Sequence, residues 1–243
     1  MGTPEDVLDK LLAARPERLR TVLDGLADEQ ATELLRELCA RSGRFWLQFV
    51  NTRDEADADS SVKPFPLHLG YATGLWDLFE TKQTLVVAKS RQMLVSWCLA
   101  AYCVWLARFH QHKGVYWQSQ QWRDAVAMVC MPSGGFQGRC QFIEQNLPGW
   151  LRQPVKESEG RIQYPNGSII EALSGGPDQV RGKTISLYVG DEFAYQTDQE
   201  GVYTAVSPLI QKGAKAFFVS TPNGSANQFA TLFHGRPVGQ EAV

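Results

Sequence analysis

From Thr84 onward, short β-branched runs alternate with longer segments of helical period, and few folds accommodate that alternation. Residues 84–87 read as a strand and 88–95 as a loop. Ser96 to about His112 then reads as a mostly apolar helix carrying Trp97, Leu99, Tyr102, Val104, Trp105 and Leu106. Residues 115–118 (Val-Tyr-Trp-Gln) read as the next strand and 122–131 as the next helix. A further helix is expected near 140–145, after the flexible Pro132-Ser133-Gly134-Gly135. Asn166-Gly167, between the runs 161–164 and 168–173, is a two-residue hairpin signal. The apolar run 185–189, a helix near 203–210, a strand at 216–219 and a helix after Ala226 complete the series. The order argues for an α/β fold with a mainly parallel sheet and helices on both faces.

Residues 1–60 have a different character. Thr3 is placed to cap a helix, Pro4 fits its first turn, Glu5 and Asp6 favour its start, and Val7, Leu8, Leu11 and Leu12 form a stripe. Further stripes follow at Leu19, Val22, Leu23 and Leu26 and at Leu34, Leu35 and Leu38, with Gly25 and Asp28 as a break. A small helical appendage is expected, packed onto the main domain; docking to a partner is the alternative. The aromatic run 45–50 leads into residues 51–61, which carry four acids, one arginine and no periodicity, as a loop or linker does. The expected division is therefore a helical appendage and linker at 1–60 and an α/β domain at 61–243.

Composition narrows the function classes. The 24 basic and 26 acidic residues give a net charge of −2, which excludes a broadly polybasic nucleic-acid binder but leaves room for local contact. No apolar run approaches the roughly 18 residues of a membrane span, and the first residues lack the basic and apolar regions of a signal peptide. A cytoplasmic protein that does not enter the membrane is expected. The five cysteines form no CxxC pair and are expected as reduced, mostly buried thiols.

The chemistry concentrates at Gly190-Asp191-Glu192, which ends the run 185–189. Open α/β sheets bind ligands at the carboxyl ends of their strands. Two adjacent acids there suit nucleotide hydrolysis, one holding a magnesium ion and the other orienting the attacking water. A solvated turn is the plain alternative. The facing loop departs from the phosphate-binding pattern GxxxxGK[ST]: Lys89 and Leu94 stand at the two glycine positions and Val95 at the lysine, leaving only Ser96. It still offers Lys89, Arg91, Gln92, Ser96 and a helix N-terminus, which are the parts that attract phosphate. Residues 63–68, just ahead of the loop, are suited to cradle an adenine, with an aromatic core anchor as the alternative.

Taken together and in order, these blocks resemble the large subunit of the phage terminase, the ATP-driven motor that packages DNA into capsids. Lys89-Ser90-Arg91-Gln92-Met93-Leu94-Val95-Ser96-Trp97 looks like its deviant phosphate loop, and Tyr188-Val189-Gly190-Asp191-Glu192-Phe193-Ala194 like its Walker B segment. Ser220-Thr221-Pro222-Asn223-Gly224 resembles its coupling motif. Tyr164-Pro165-Asn166-Gly167-Ser168 and Val180-Arg181-Gly182 resemble two blocks between them, so the match runs over roughly residues 65–235. The resemblance implies a P-loop NTPase-type fold and an ATP and magnesium (Mg2+) site. Lys89 and Arg91 would bind phosphates, Ser96 and Asp191 magnesium, and Glu192 would polarise water. Arg181, ten residues before Asp191, would act as a finger in a neighbouring copy's site, with Arg139, Arg152 and Arg161 as competitors. Thr221 and Asn223 would lie near the γ-phosphate.

Leu94 stands where similar proteins keep glycine, so the loop is expected either to be re-shaped there or to bind nucleotide poorly. The implied partners are double-stranded DNA, contacted without regard to sequence, other copies of the chain in a ring, the portal protein and the small terminase subunit, in the host cytoplasm. Only 19 residues follow Gly224, so no nuclease domain is expected after the motor. A helicase-like, nucleic-acid-stimulated ATPase and a binding or scaffold module with a decayed nucleotide site are the alternatives.

Overall fold

Five of the apolar runs pair in parallel. They are β3 (Thr84–Ala88), β4 (Gly114–Gln118), β7 (Ile169–Leu173), β8 (Leu187–Asp191) and β9 (Lys215–Ser220). Strands covered on both faces need apolar side chains on both, which is why these segments read as continuous runs. In the computed structural model, which describes residues 22–23, 25–53, 62–90, 93–133 and 137–235, they belong to a seven-stranded sheet ordered β3-β9-β8-β4-β7-β6-β5. The pairings of β7 with β6 (Arg161–Gln163) and of β6 with β5 (Lys156–Ser158) are antiparallel, and Asn166-Gly167 makes the expected hairpin between β6 and β7. β5 was not foreseen, because Lys156-Glu157-Ser158 has no strand preference of its own. The helical expectation for residues 3–21, the loop at 54–61, Arg91, Gln92 and Gly134-Gly135 lie outside the described residues.

α3 (Gly70–Thr81), α4 (Val95–Phe109), α5 (Trp122–Val129) and α6 (Arg139–Gln145) cover one face of the sheet. Trp76, Phe79, Leu99, Val126 and Ile143 pack there against Val115, Trp117, Val189, Phe217 and Val219. α7 (Gln199–Gln211) and α8 (Gln228–His234) cover the other, where Val202, Val206 and Phe229 meet Tyr116, Tyr188 and Phe218. Alternate residues of each strand thus serve opposite cores, as the two-residue period requires. The five cysteines are all buried and free.

α4 is apolar around almost its whole circumference because it is enclosed by neighbours. Its C-terminal carbonyls have no partners within the helix, and the hairpin at 166–168 supplies them. The side-chain amide of Asn166 donates to the carbonyls of Ala107, Arg108 and His110 at 2.9, 3.0 and 3.1 Å, and Ser168 Oγ donates to His110 O at 2.6 Å. Beside this cap, Arg108 and Glu144 form an ion pair with both side chains almost fully buried, and Tyr164 donates to Glu144 at 2.8 Å. The block Tyr164 to Ser168 therefore secures the end of α4 remote from the phosphate loop.

The described part of the appendage packs on the same core. α1 (Asp28–Arg41) and α2 (Gly43–Trp46) contribute Cys39 and Trp46 to it, and Trp105 donates its indole N–H to Cys39 O at 2.9 Å. Two short strands, β1 (Asn51–Thr52) and β2 (Lys63–Pro64), pair across the segment that joins the appendage to the α/β part. No described helix is long and apolar enough to cross a membrane.

Candidate nucleotide-hydrolysis site

Sheet order decides which residues meet. β9 lies between β3 and β8, so their carboxyl ends bring Lys89, Ser220 and Asp191 side by side, and Lys89 N donates to Ser220 O at 3.0 Å. Glu192 is where the segments converge. Its Oε1 accepts from Lys89 Nζ at 2.8 Å, and its Oε2 accepts from Ser220 Oγ at 3.3 Å and from the backbone N and the hydroxyl of Thr221 at 3.2 Å each. The segments that follow β3, β8 and β9 are thus tied through one carboxylate.

The two acids have opposite electrostatics. Burial acts most strongly on Glu192 and pushes its pKa up, but the bonds from Lys89 and Thr221 together outweigh burial and hold the carboxyl below the usual range. At Asp191 burial wins and the pKa is raised; Lys89 and Arg139 pull it down and Glu192 pushes it up. Asp191 is only 6% exposed, and its Oδ1 has no hydrogen-bond partner among the described residues. A buried carboxylate oxygen without a partner is costly, and a hard cation is a suitable partner for it. No group of three or more His, Cys, Asp or Glu side chains among the described residues is arranged to cage a metal. Magnesium does not need such a cage, since it is usually held by one or two carboxylates together with phosphates and waters. The donor set therefore fits magnesium brought with a nucleotide.

Backbone strain marks the same place. Leu94 has φ 53° and ψ 6°, and Glu192 has φ 43° and ψ 44°, both left-handed. That conformation costs a residue with a side chain about 1–2 kcal/mol. At the position where similar proteins keep glycine, the leucine itself takes the glycine-like conformation, and its side chain packs against the core under α4. The loop thereby enters α4 at Val95, with Ser96 in the first turn, where backbone N–H groups without helical partners favour an anion.

The remaining predicted residues are dispersed. Ser90 and Met93 are exposed and Val95 is buried. Arg181 is not brought to the acids; its side chain is 66% exposed and pairs with Asp178 at 2.6 Å, next to Gly182 at φ 76°. The Asn223 amide donates to Ala194 O at 3.1 Å, so Asn223 latches the coupling segment onto the turn Phe193–Tyr195 while Thr221 makes the contact with Glu192. Among the competing arginines, Arg152 donates to Leu147 O at 2.8 Å and Arg161 pairs with Glu171 at 3.3 Å. Arg139 lies over the ring of Trp97 at 5.5 Å, on the Asp191 side of the site. Phe65 is buried in the core, as the anchor alternative has it, whereas Leu67, His68 and Tyr71 are exposed.

Sequence reasoning missed Gln118 and Gln196. Gln118 accepts from Tyr188 OH at 2.5 Å and donates to Ser174 O at 2.7 Å and Gly176 O at 2.8 Å, while Gln196 donates to Asp191 O at 3.2 Å. For Gln118 the available signal was a polar residue closing an apolar strand, as at Asp191; Gln196 follows the turn Phe193–Tyr195 and carries no such signal. A separate cavity of about 460 Å³ lies between α1 and residues 151–153, at the other end of α4. Its arginines are already engaged, Arg36 with Trp150 O, Arg108 with Glu144 and Arg152 with Leu147 O.

The fold has known counterparts. The large terminase of bacteriophage HK97 is similar with a TM-score of 0.52 at 13% identity, covering 80% of this chain and 40% of that one, a likeness of fold alone. The large terminase of the thermophilic bacteriophage D6E, in complex with ADP, has a TM-score of 0.49 at 14% identity, over 63% of this chain and 37% of that one. The Mu-like prophage FluMu protein gp28 of Haemophilus influenzae is 27% identical over 194 residues, 74% of this chain and 35% of that protein. The chain thus spans about a third of the length of this curated relative. No family model matches the chain.

Proposed function

We propose that this chain is the ATP-hydrolysing motor domain of a viral DNA-packaging terminase large subunit, which couples hydrolysis to movement of double-stranded DNA into a capsid. The observation that carries the proposal is the convergence of Lys89, Ser220 and Thr221 on Glu192, beside the buried Asp191. Lys89, with Arg91, binds the phosphates from the start of the loop, and the first turn of α4 adds backbone N–H donors. Ser96 and Asp191 are the residues that would hold magnesium, which when bound neutralises charge on the phosphate oxygens. As Lys89 turns to the phosphates, Glu192 Oε1 is released to orient water, while Oε2 keeps its bonds to Ser220 and Thr221. Loss of the γ-phosphate is thereby felt at the coupling segment that Asn223 latches.

Arg181, exposed and away from its own acids, is available to a neighbouring copy in a ring. DNA is contacted without sequence preference, and the portal protein and the small terminase subunit are the partners this role requires, in the host cytoplasm. Phosphate release measured with magnesium and ATP tests the assignment. The wild type is expected to turn over, faster with double-stranded DNA of any sequence, and Glu192→Gln to lose roughly 100-fold or more in rate. Full turnover in Glu192→Gln would remove the water-orienting role and with it this mechanism.

A further inference from the structure

Asp191 has a neighbour with the same deficit. The pairing of β4 with β8 sets Trp117 against Val189 and Gln118 against Gly190, so the next position in register places Ser119 beside Asp191. The ladder continues on the other side of Ser119, whose N–H donates to Leu173 O at 3.3 Å. Trp117 and Val189 belong to the core under α4, and Tyr116 and Tyr188 to the opposite one. By strand alternation Ser119 and Asp191 both face the α4 side, where Ser96 begins the helix. Ser119 is 3% exposed, and its hydroxyl, like Asp191 Oδ1, has no hydrogen-bond partner among the described residues. Each such group bears an uncompensated desolvation penalty, and two of them side by side at the ends of neighbouring central strands mark a place for a polar ligand.

We propose that Ser119 belongs to the cation site: its hydroxyl and Asp191 Oδ1 together hold a water of the hydrated magnesium that accompanies the nucleotide. The proposal rests on the ATPase assignment and adds a residue to it. Magnesium gives up its waters reluctantly, so a site with a single buried carboxylate needs further groups that bind those waters. A serine hydroxyl both donates and accepts, so it fits between a carboxylate and a water. Ser119 touches neither phosphate nor nucleophile and is a positioning residue.

The test is calorimetric titration of the whole chain with ADP, once with magnesium and once with EDTA. In the wild type magnesium tightens ADP binding. In Ser119→Ala the magnesium-dependent gain is expected to shrink by roughly tenfold, as for other groups that bind a metal's outer shell. ADP affinity in EDTA should stay at the wild-type value. The melting temperature without nucleotide should be equal or higher, because the deleted hydroxyl has no partner to lose. Ser119→Thr, which keeps the hydroxyl, should recover the gain. An unchanged magnesium effect in Ser119→Ala overturns the proposal, and so does an equal loss in magnesium and EDTA or a lowered melting temperature, either of which assigns the hydroxyl a structural role. A wild type whose ADP binding ignores magnesium also overturns the proposal, whereas a wild type that binds no ADP in either condition would remove the ATPase assignment itself.

Discussion

Glu192 carries the most consequence of any single residue, because its two oxygens join Lys89 to Thr221. The bonds to its ionised form hold its pKa below the ordinary value despite burial. Such a group contributes stability that is fully present above its unfolded pKa and is lost as pH falls through the lower folded one. Glu192→Gln is therefore expected to melt below the wild type at neutral pH, with the gap closing below about pH 4. A gap that stays constant across that range would mean that the ionised carboxylate does not carry these bonds. Leu94 shows the limit of a residue pattern. The mismatch with glycine is legible in the sequence, but the requirement at that position is a backbone angle, and a leucine packed on the core can meet it. Ser119 and Gln118 were not legible as site residues, since nothing in a polar residue after an apolar run tells which strand will lie beside it.

Among the elements, α4 links the two halves of the account, with the phosphate loop at one end and the Asn166 cap at the other. Asn166→Ala leaves the carbonyls of Ala107 and Arg108 without their side-chain donor, while His110 O keeps Ser168, and a loss of about 1–3 kcal/mol in urea denaturation is expected. ADP affinity should survive, because the 15 residues of α4 separate the cap from the loop by about 22 Å. Lost affinity with unchanged stability would instead move the block at 164–168 into the site. Strands and helices were legible because both cores are built from strongly periodic segments, and residues 84–87 and 115–118 fall within β3 and β4. Strand order was not legible: only the folded pairing inserts β9 between β3 and β8 and so turns three distant motifs into neighbours. β5 escaped notice for a related reason, since Lys156-Glu157-Ser158 becomes a strand only by pairing with β6.

At the scale of the whole molecule, a parallel sheet with helices on both faces gathers its chemistry at one edge, where the C-terminal ends of β3, β9, β8 and β4 lie in sequence. Glu192 and Thr221 meet there, whereas Arg181 lies on the surface, paired with Asp178. A net charge of −2 means that any contact with DNA under the proposed function falls to local groups. The central claim is that a lysine at the start of the loop, rather than at its end, receives the phosphates. Calorimetric titration with a non-hydrolysable ATP analogue and magnesium, on the wild type and on Lys89→Ala, tests it most directly. Deleting a charged donor to a phosphate predicts measurable binding in the wild type that weakens by about 10-fold or more in the variant. Equal affinity in the two proteins, or no binding by the wild type, would contradict it.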